Sequence, residues 1–221
     1  MRTQSTSNET IEMYLKTIAE LGDGGAPVVI ARLAERLGIS PVSANEMVKR
    51  LGEQGLVAHV RYKGVTLTKN GRYIAHNVIR RQRLWERFLV DHLKMEWSGV
   101  YEMACRLEHA TSNVLAEALS AYLGHPTTCP HGSPIPKSDG SLPLVSTRPL
   151  TALRVGEKGC IHSIQPTTTD VYAYLNRYQI LPDRNFTVSE IAPMEGPITL
   201  DLPSGKVALG RSMAELVWVN V

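Results

Sequence analysis

Only three of the 221 residues are cysteine and two are phenylalanine. An odd and sparse set of thiols excludes a disulfide framework and leaves the thiols for metal or core. A reducing, cytoplasmic setting is the expectation that follows. No run of about 18 apolar residues occurs, which excludes a membrane-spanning helix. The opening MRTQSTSNET lacks the apolar stretch of a secretory signal, so none is expected. Hydrophobic residues make up 43 %. That is enough for a packed core, and the length allows one large domain or two to three small ones.

Charge is present in both signs but unevenly placed. Residues 1–94 hold 15 Lys and Arg against 9 Asp and Glu, and residues 95–221 hold 9 against 12. A basic front end on a mildly acidic remainder suits a nucleic-acid-binding part joined to a regulatory body.

Hydrophobic spacing supplies the elements. Ile11, Leu15, Ile18 and Leu21 fall on one face of a helix over 9–21, which GDGGAP ends. Residues 28–37 read as a second short helix. Gly38-Ile39-Ser40 is a tight turn, and Ser40 is a suitable N-cap for a third helix opening at Pro41. In that helix Val42, Met47, Val48 and Leu51 are predicted to face a core, and Gly55 ends it. Strand-like residues flank Lys63-Gly64, which predicts a hairpin. Long helices are expected over 69–94 and 98–123, the second with apolar contacts from Val100, Ala104, Leu107, Val114, Leu115 and Leu119. Residues 124–149, rich in Pro, Gly, Ser and Thr, read as loop and linker. From 150 onward short β-like runs (GCIHSI, FTVSEIA, ITLDL, KVALG, LVWVNV) and one helix near 169–178 predict a small β-barrel. There is no internal repeat.

Helix, short turn, helix and basic hairpin is the order of a winged helix-turn-helix. Its second helix would read the major groove of double-stranded DNA through Ser40, Pro41, Val42, Ser43, Asn45 and Glu46. Ser and Asn can exchange hydrogen bonds with base edges, and Val42 can meet a thymine methyl. Lys49 and Arg50, a turn later, are expected at phosphates. Arg61, Tyr62 and Lys63 at the hairpin tip are expected at backbone or minor groove. The plainer alternative is a structural three-helix module with ordinary surface charge.

Two clusters carry metal-ligand chemistry. Cys105, Glu108 and His109 stand at i, i+3 and i+4 on a predicted helix, so all three project to one side. Thiolate, carboxylate and imidazole together suit a divalent transition metal. The alternative is a buried Cys beside a surface Glu-His pair. The second cluster is Cys129-Pro130-His131, which is either a metal clamp or simply a turn.

In these motifs the chain resembles the diphtheria-toxin-repressor family of iron- and manganese-dependent repressors. The resemblance runs through IEMYLKTIAEL, the helix-turn-helix, GLVAHVRYKGVTLTKNGR, RRQRLWERFL, ACRLEHATS, CPHGSPIP and the C-terminal part. It implies a mainly helical N-terminal two-thirds followed by a small SH3-like, FeoA-like barrel. The expected domains are a DNA-binding domain at 1–72, a metal-binding and dimerisation domain at 73–140, a linker at 141–149 and the barrel at 150–221. It implies a repressor that binds palindromic operator DNA as a homodimer when loaded with metal, controlling metal-homeostasis genes. It also implies a primary site of Met13, Cys105, Glu108 and His109. Met13 with Cys105 looks like the iron-responsive branch, because the manganese branch has carboxylates there. The iron branch has His where Gln82 and Tyr101 stand here, so the second site is expected to be of the other type: Glu86, Cys129, His131 and, from the barrel, Asp170. Fe(II) is the favoured co-repressor, Mn(II) the alternative, with Co(II), Ni(II) or Zn(II) active in vitro. In the family's mechanism metal restrains the first helix, the helices at 69–94 and 98–123 form the two-fold interface, and the second site pins the barrel to the body. Trp85, Phe88, Leu89 and Trp97 are candidate interface or core residues. Two rival readings remain at this point: a metal-independent winged-helix regulator and a metallohydrolase. Neither an HExxH motif nor a nucleophile elbow supports the second.

Overall fold

The structure, a computed structural model, describes residues 8–22, 25–143, 145–165 and 168–221. The chain divides into two compact units. One holds the residues up to 81 together with 136–142, the other residues 82–135 and 143–221.

The first unit contains α1 (Asn8–Leu21), α2 (Ile30–Leu37), α3 (Pro41–Glu53), the hairpin β1 (Val57–Val60) and β2 (Gly64–Leu67), and the start of α4 (Lys69–Asp91). Its core joins Leu15 and Ile18 of α1, Leu33 of α2, Met47, Val48 and Leu51 of α3, and Val57 and Val65 of the hairpin. The 3.6-residue spacing of these positions is what turns each helix toward the others. The α2–α3 corner follows its sequence signals. Gly38 takes the left-handed conformation at φ 65°, and the Ser40 side chain accepts from the Ser43 amide at 3.1 Å ahead of Pro41. Two expectations need correction. Val28 is not helical but pairs with Val65 as a β-bridge, adding an extended residue to the hairpin. Val42 is 70 % exposed rather than in the core, because the first turn of α3 projects beyond the packed face.

The second unit contains the rest of α4, α5 (Val100–His109), α6 (Asn113–Tyr122) and a six-stranded antiparallel sheet. The single helix expected over 98–123 is two helices. Thr111 turns its hydroxyl back to the Leu107 carbonyl, and Ser112 caps α6 by accepting from the Leu115 amide. A cap inside an apolar pattern ends one helix and starts another. Val114 and Leu115 then fall on an exposed face of α6, 82 % and 43 % accessible.

The sheet is formed by β3 (Arg148–Pro149), β4 (Lys158–Ile164), β5 (Asn185–Ile191), β6 (Ile198–Leu202), β7 (Gly205–Leu209) and β8 (Val217–Asn220), in the order β3-β8-β4-β5-β6-β7. α7 (Thr169–Arg177) follows β4, and α8 (Arg211–Ala214) precedes β8. Bulges between Ile161 and Ser163 and between Val188 and Glu190 bend the sheet around a core of alternate inward residues. The segment expected as linker is partly packed structure. Thr128 bridges to Pro134, and Cys129, His131, Ser133 and Ile135 are buried.

Candidate metal centre

α4 is amphipathic, and its second half points Gln82 and Glu86, one turn apart, into the second unit. Both are almost fully buried. The Gln82 amide donates to one Glu86 oxygen at 2.8 Å, and His131 Nδ1 stands 3.0 Å from the other. Cys129 completes the group. The ligand atoms of Glu86, Cys129 and His131 lie within 4.8 Å of one another, and no other His, Cys, Asp or Glu group of three does so among the described residues.

The loop that delivers Cys129 and His131 is fixed on three sides. The Cys129 amide donates to the Ser133 carbonyl and the Ile164 amide of β4 to the His131 carbonyl, each at 2.9 Å. Gly132, at φ 81°, lies so close to β4 that a Cβ would sit 1.9 Å from the His162 carbonyl oxygen, so only glycine fits. Arg83 donates to the Pro134 carbonyl. Trp97 donates to the Pro130 carbonyl at 2.8 Å, and its own carbonyl faces His131 Nε2 at 3.2 Å. The His131 ring is held between Trp97 and Tyr172, with centroids 4.6 and 4.3 Å away.

A carboxylate, a thiol and an imidazole buried this tightly together are costly unless they compensate one another. Burial opposes the Glu86 charge, but the hydrogen bond and charge of His131, with help from Arg83 and Cys129, outweigh it and hold the carboxyl below its usual range. Burial pushes the Cys129 thiol far up, and the Glu86 charge adds to this. His131 thus faces a carboxylate through Nδ1 and a carbonyl through Nε2. The set therefore fits a divalent cation in chemistry and spacing: an ion would replace hydrogen at the thiol and at one imidazole nitrogen and restore the charge balance.

Asp170 is not among these groups. It is exposed in the first turn of α7, where the neighbouring Thr169 hydroxyl donates to Glu102 at 3.2 Å. Two positions on, a helix has turned about 200°, so the residue that α7 aims at His131 is Tyr172. Gln82, Trp97 and Tyr172 are parts of the centre that residue-type reasoning missed as such. For Gln82 the signals were its one-turn spacing from Glu86 and the family's His at its position, and for Trp97 only its candidacy as a core residue; Tyr172 carried none.

Comparison with known proteins places this geometry. Residues 7–65 match the iron-dependent repressor N-terminal DNA-binding domain, 68–137 the iron-dependent repressor metal-binding and dimerisation domain, and 148–221 the FeoA domain. The iron-dependent repressor IdeR of Mycobacterium tuberculosis is 41 % identical over 96 % of this chain and 97 % of its own. The chain belongs to the iron-dependent repressor family. The diphtheria toxin repressor of Corynebacterium diphtheriae is 37 % identical over 59 % of this chain and 58 % of its own. A solved manganese-dependent transcriptional repressor in complex with manganese superposes with a TM-score of 0.87 at 37 % identity, covering 95 % of this chain and 98 % of the other. This repressor is thus a metal-dependent regulator of transcription with a DNA-binding domain and a dimerisation domain, and not an enzyme.

The other predicted site residues of the repressor are placed as follows. Cys105, Glu108 and His109 all lie on α5. Glu108 is buried, Cys105 half-buried, and His109 largely accessible, with its Nδ1 3.6 Å from Glu108. Their ligand atoms do not draw together as those of the first group do. Met13, on α1 of the first unit, is 42 % exposed. Tyr101 contacts Tyr172 at 6.1 Å between centroids. Every predicted DNA contact is exposed: Ser40, Pro41, Val42, Ser43, Asn45, Glu46, Lys49 and Arg50 on and before α3, and Arg61, Tyr62 and Lys63 at the hairpin tip. The Ser40 and Ser43 hydroxyls are bonded to each other at 2.9 Å. Arg61 donates to the Tyr62 hydroxyl at 2.9 Å and lies 4.9 Å over its ring, an ordered tip for a flexible pair of side chains.

Proposed function

We propose that this repressor binds palindromic operator DNA as a two-fold dimer and holds two divalent ions per subunit, with Fe(II) as its physiological co-repressor. The observation that carries the two-ion reading is the buried set Glu86, Cys129 and His131, whose ligand atoms lie within 4.8 Å of one another and join a carboxylate, a thiol and an imidazole, the donor types that a divalent transition metal takes. Met13, Cys105, Glu108 and His109 are the proposed ligands of the other ion, in keeping with the family resemblance.

A divalent ion supplies positive charge and a cross-link between its donors. The chain supplies the rest. Glu86 fixes one end of the second site on α4, and Cys129 and His131 fix the other on a loop tied to β4. Trp97 and Tyr172 hold the imidazole in one plane and keep water away. An ion held there reinforces the seat of the sheet domain against α4.

The choice of iron rests on ligand softness. A thioether from Met13 and a thiolate from Cys105 suit Fe(II), Co(II) or Ni(II) better than Mn(II). The relatives are named for both metals: iron for the Mycobacterium tuberculosis protein and manganese for the solved complex. The decisive experiment measures operator binding against free metal, Fe(II) anaerobically and Mn(II) in parallel. Met13→Asp with Cys105→Glu is expected to move the response toward Mn(II). A parent protein that already answers Mn(II) as tightly as Fe(II) refutes the iron reading. Loss of one bound ion in Cys129→Ala/His131→Ala tests the second site, and an unchanged ion count refutes it.

A further inference from the structure

The three clustered side chains are each no more than 3 % exposed, so an ion in solution cannot reach them without a path. One cavity of about 320 Å³ in the second unit touches this cluster at Cys129, which forms part of its wall together with Arg87, His162, Asn176, Leu181 and Asp183. Its residues run from exposed to buried. Asp183 is exposed, Asn176 and Leu181 are half-buried, and Cys129 is buried. His162, also in the wall, has its Nε2 buried without a hydrogen-bond partner. The close seat of Gly132 on the His162 backbone fixes that residue beside the Cys129 loop.

We propose that this cavity is the port through which a divalent cation reaches the Glu86, Cys129 and His131 site, with Asp183 and His162 as successive transit ligands. The inference rests on the second-site reading above. An acid, then an imidazole whose Nδ1 is engaged by Asn220 at 3.4 Å and whose Nε2 is left over, then a thiol form a graded series from hard to soft donors, which lets an ion exchange its water in steps. The wall sets Asp183 against Arg87. Arg87 is the one cation in the wall, and its guanidinium is engaged by the Thr128 carbonyl at 3.0 Å and Asp91 at 3.6 Å. Glu96 adds a third exposed carboxylate, accepting from Asn176 at 3.0 Å. Among the described residues, no group of three that includes His162 or Asp183 forms a resting site, as expected of stations along a route.

The test is kinetic. Stopped-flow mixing of the full chain with Co(II) follows the thiolate–cobalt band, in a background carrying Cys105→Ser and Cys160→Ser so that the band reports Cys129 alone. Release is followed after adding excess chelator. His162→Ala with Asp183→Asn is expected to slow loading and release alike, by about tenfold, since steering and transit residues alter rates on that scale. Equilibrium affinity is expected to stay unchanged, because a residue on the path but not at its end alters the barrier and not the end states. Leu181→Trp, which narrows the mouth without touching either transit ligand, is expected to do the same. Unchanged rates in both variants overturn the port. Weakened affinity with faster release also overturns it, by making His162 a ligand. Absence of any band in the background protein overturns the second site itself, and the port with it.

Discussion

Replacing Gly132 by alanine tests whether the seat of the Cys129–His131 loop against β4 builds the centre. The new Cβ would lie 1.9 Å from the His162 oxygen and 2.9 Å from both the His162 carbonyl carbon and Ser163 Cα. A carbon needs about 3.5 Å. These atoms belong to β4, which β8 pairs on both sides of His162, through Ile161 with Val219 and Ser163 with Trp218, so the loop must give way. The left-handed backbone costs an L-residue about 1–2 kcal/mol. Retreat of the loop removes the 2.9 Å bond from the Ile164 amide to the His131 carbonyl, a further loss of about 1 kcal/mol. The sum, about 2–3 kcal/mol, corresponds to a fall in the thermal midpoint of the metal-free protein on the order of 4–12 °C. Displaced supports of a metal ligand weaken binding about 10–100-fold, read by Co(II) titration of the second site. Gly156→Ala is the control. Gly156 has φ 88° and nothing within 4 Å of a Cβ, so it carries the backbone cost without the collision. Equal midpoints for the two variants, with second-site affinity intact, would refute the reasoning.

Arg61→Ala with Lys63→Ala at the exposed hairpin tip is expected to weaken binding to all DNA sequences and lower the salt slope by up to about two. Fluorescence anisotropy at several salt concentrations checks it, and an unchanged slope counts against phosphate contact. Ser43→Ala or Asn45→Ala is expected to change base preference instead, read by selection from random DNA. The acid response of the metal-free protein reports Glu86. Its folded pKa lies below the ordinary 4.5, because the hydrogen bond and charge of His131 outweigh burial. Its contribution is therefore complete above that value and lost as pH falls through the lower folded one. Glu86→Gln is expected to flatten urea midpoints in that acid range, and parallel curves for parent and variant would contradict it.

The first unit was legible because its signals are local. Gly38, Ser40 and Pro41 mark one corner, and the period of Leu15, Ile18, Val48 and Leu51 marks the faces. Val28 escaped because pairing with Val65 is a long-range event with no local mark. The break between α5 and α6 was marked by Thr111 and Ser112, but apolar spacing on both sides masked it. In the candidate metal centre, Glu86, Cys129 and His131 are grouped by residue type and resemblance, and the geometry brings their ligand atoms together. Tyr172 was not found, because a helix is read for ligands by type, while its orientation is set by packing. Asp170 has the chemistry of a ligand and faces the wrong way; Tyr172 has the placement.

The return of residues 136–142 to the first unit has a practical consequence for modularity. The chain passes between the units three times, not once, so no single cut separates the DNA-reading half. The returning segment meets α4 directly: Arg80 donates to the Pro136 carbonyl at 2.9 Å, and His76 Nδ1 stands 2.6 Å from the Gly140 carbonyl. A fragment ending at 81 would leave a buried guanidinium and a buried imidazole facing absent carbonyls. Exchanging DNA specificities between relatives by grafting the N-terminal portion alone would import that mismatch. A graft that also carries 136–142 keeps donor and acceptor from the same parent, which makes this short stretch, distant in sequence, part of the inheritance of the DNA-binding half.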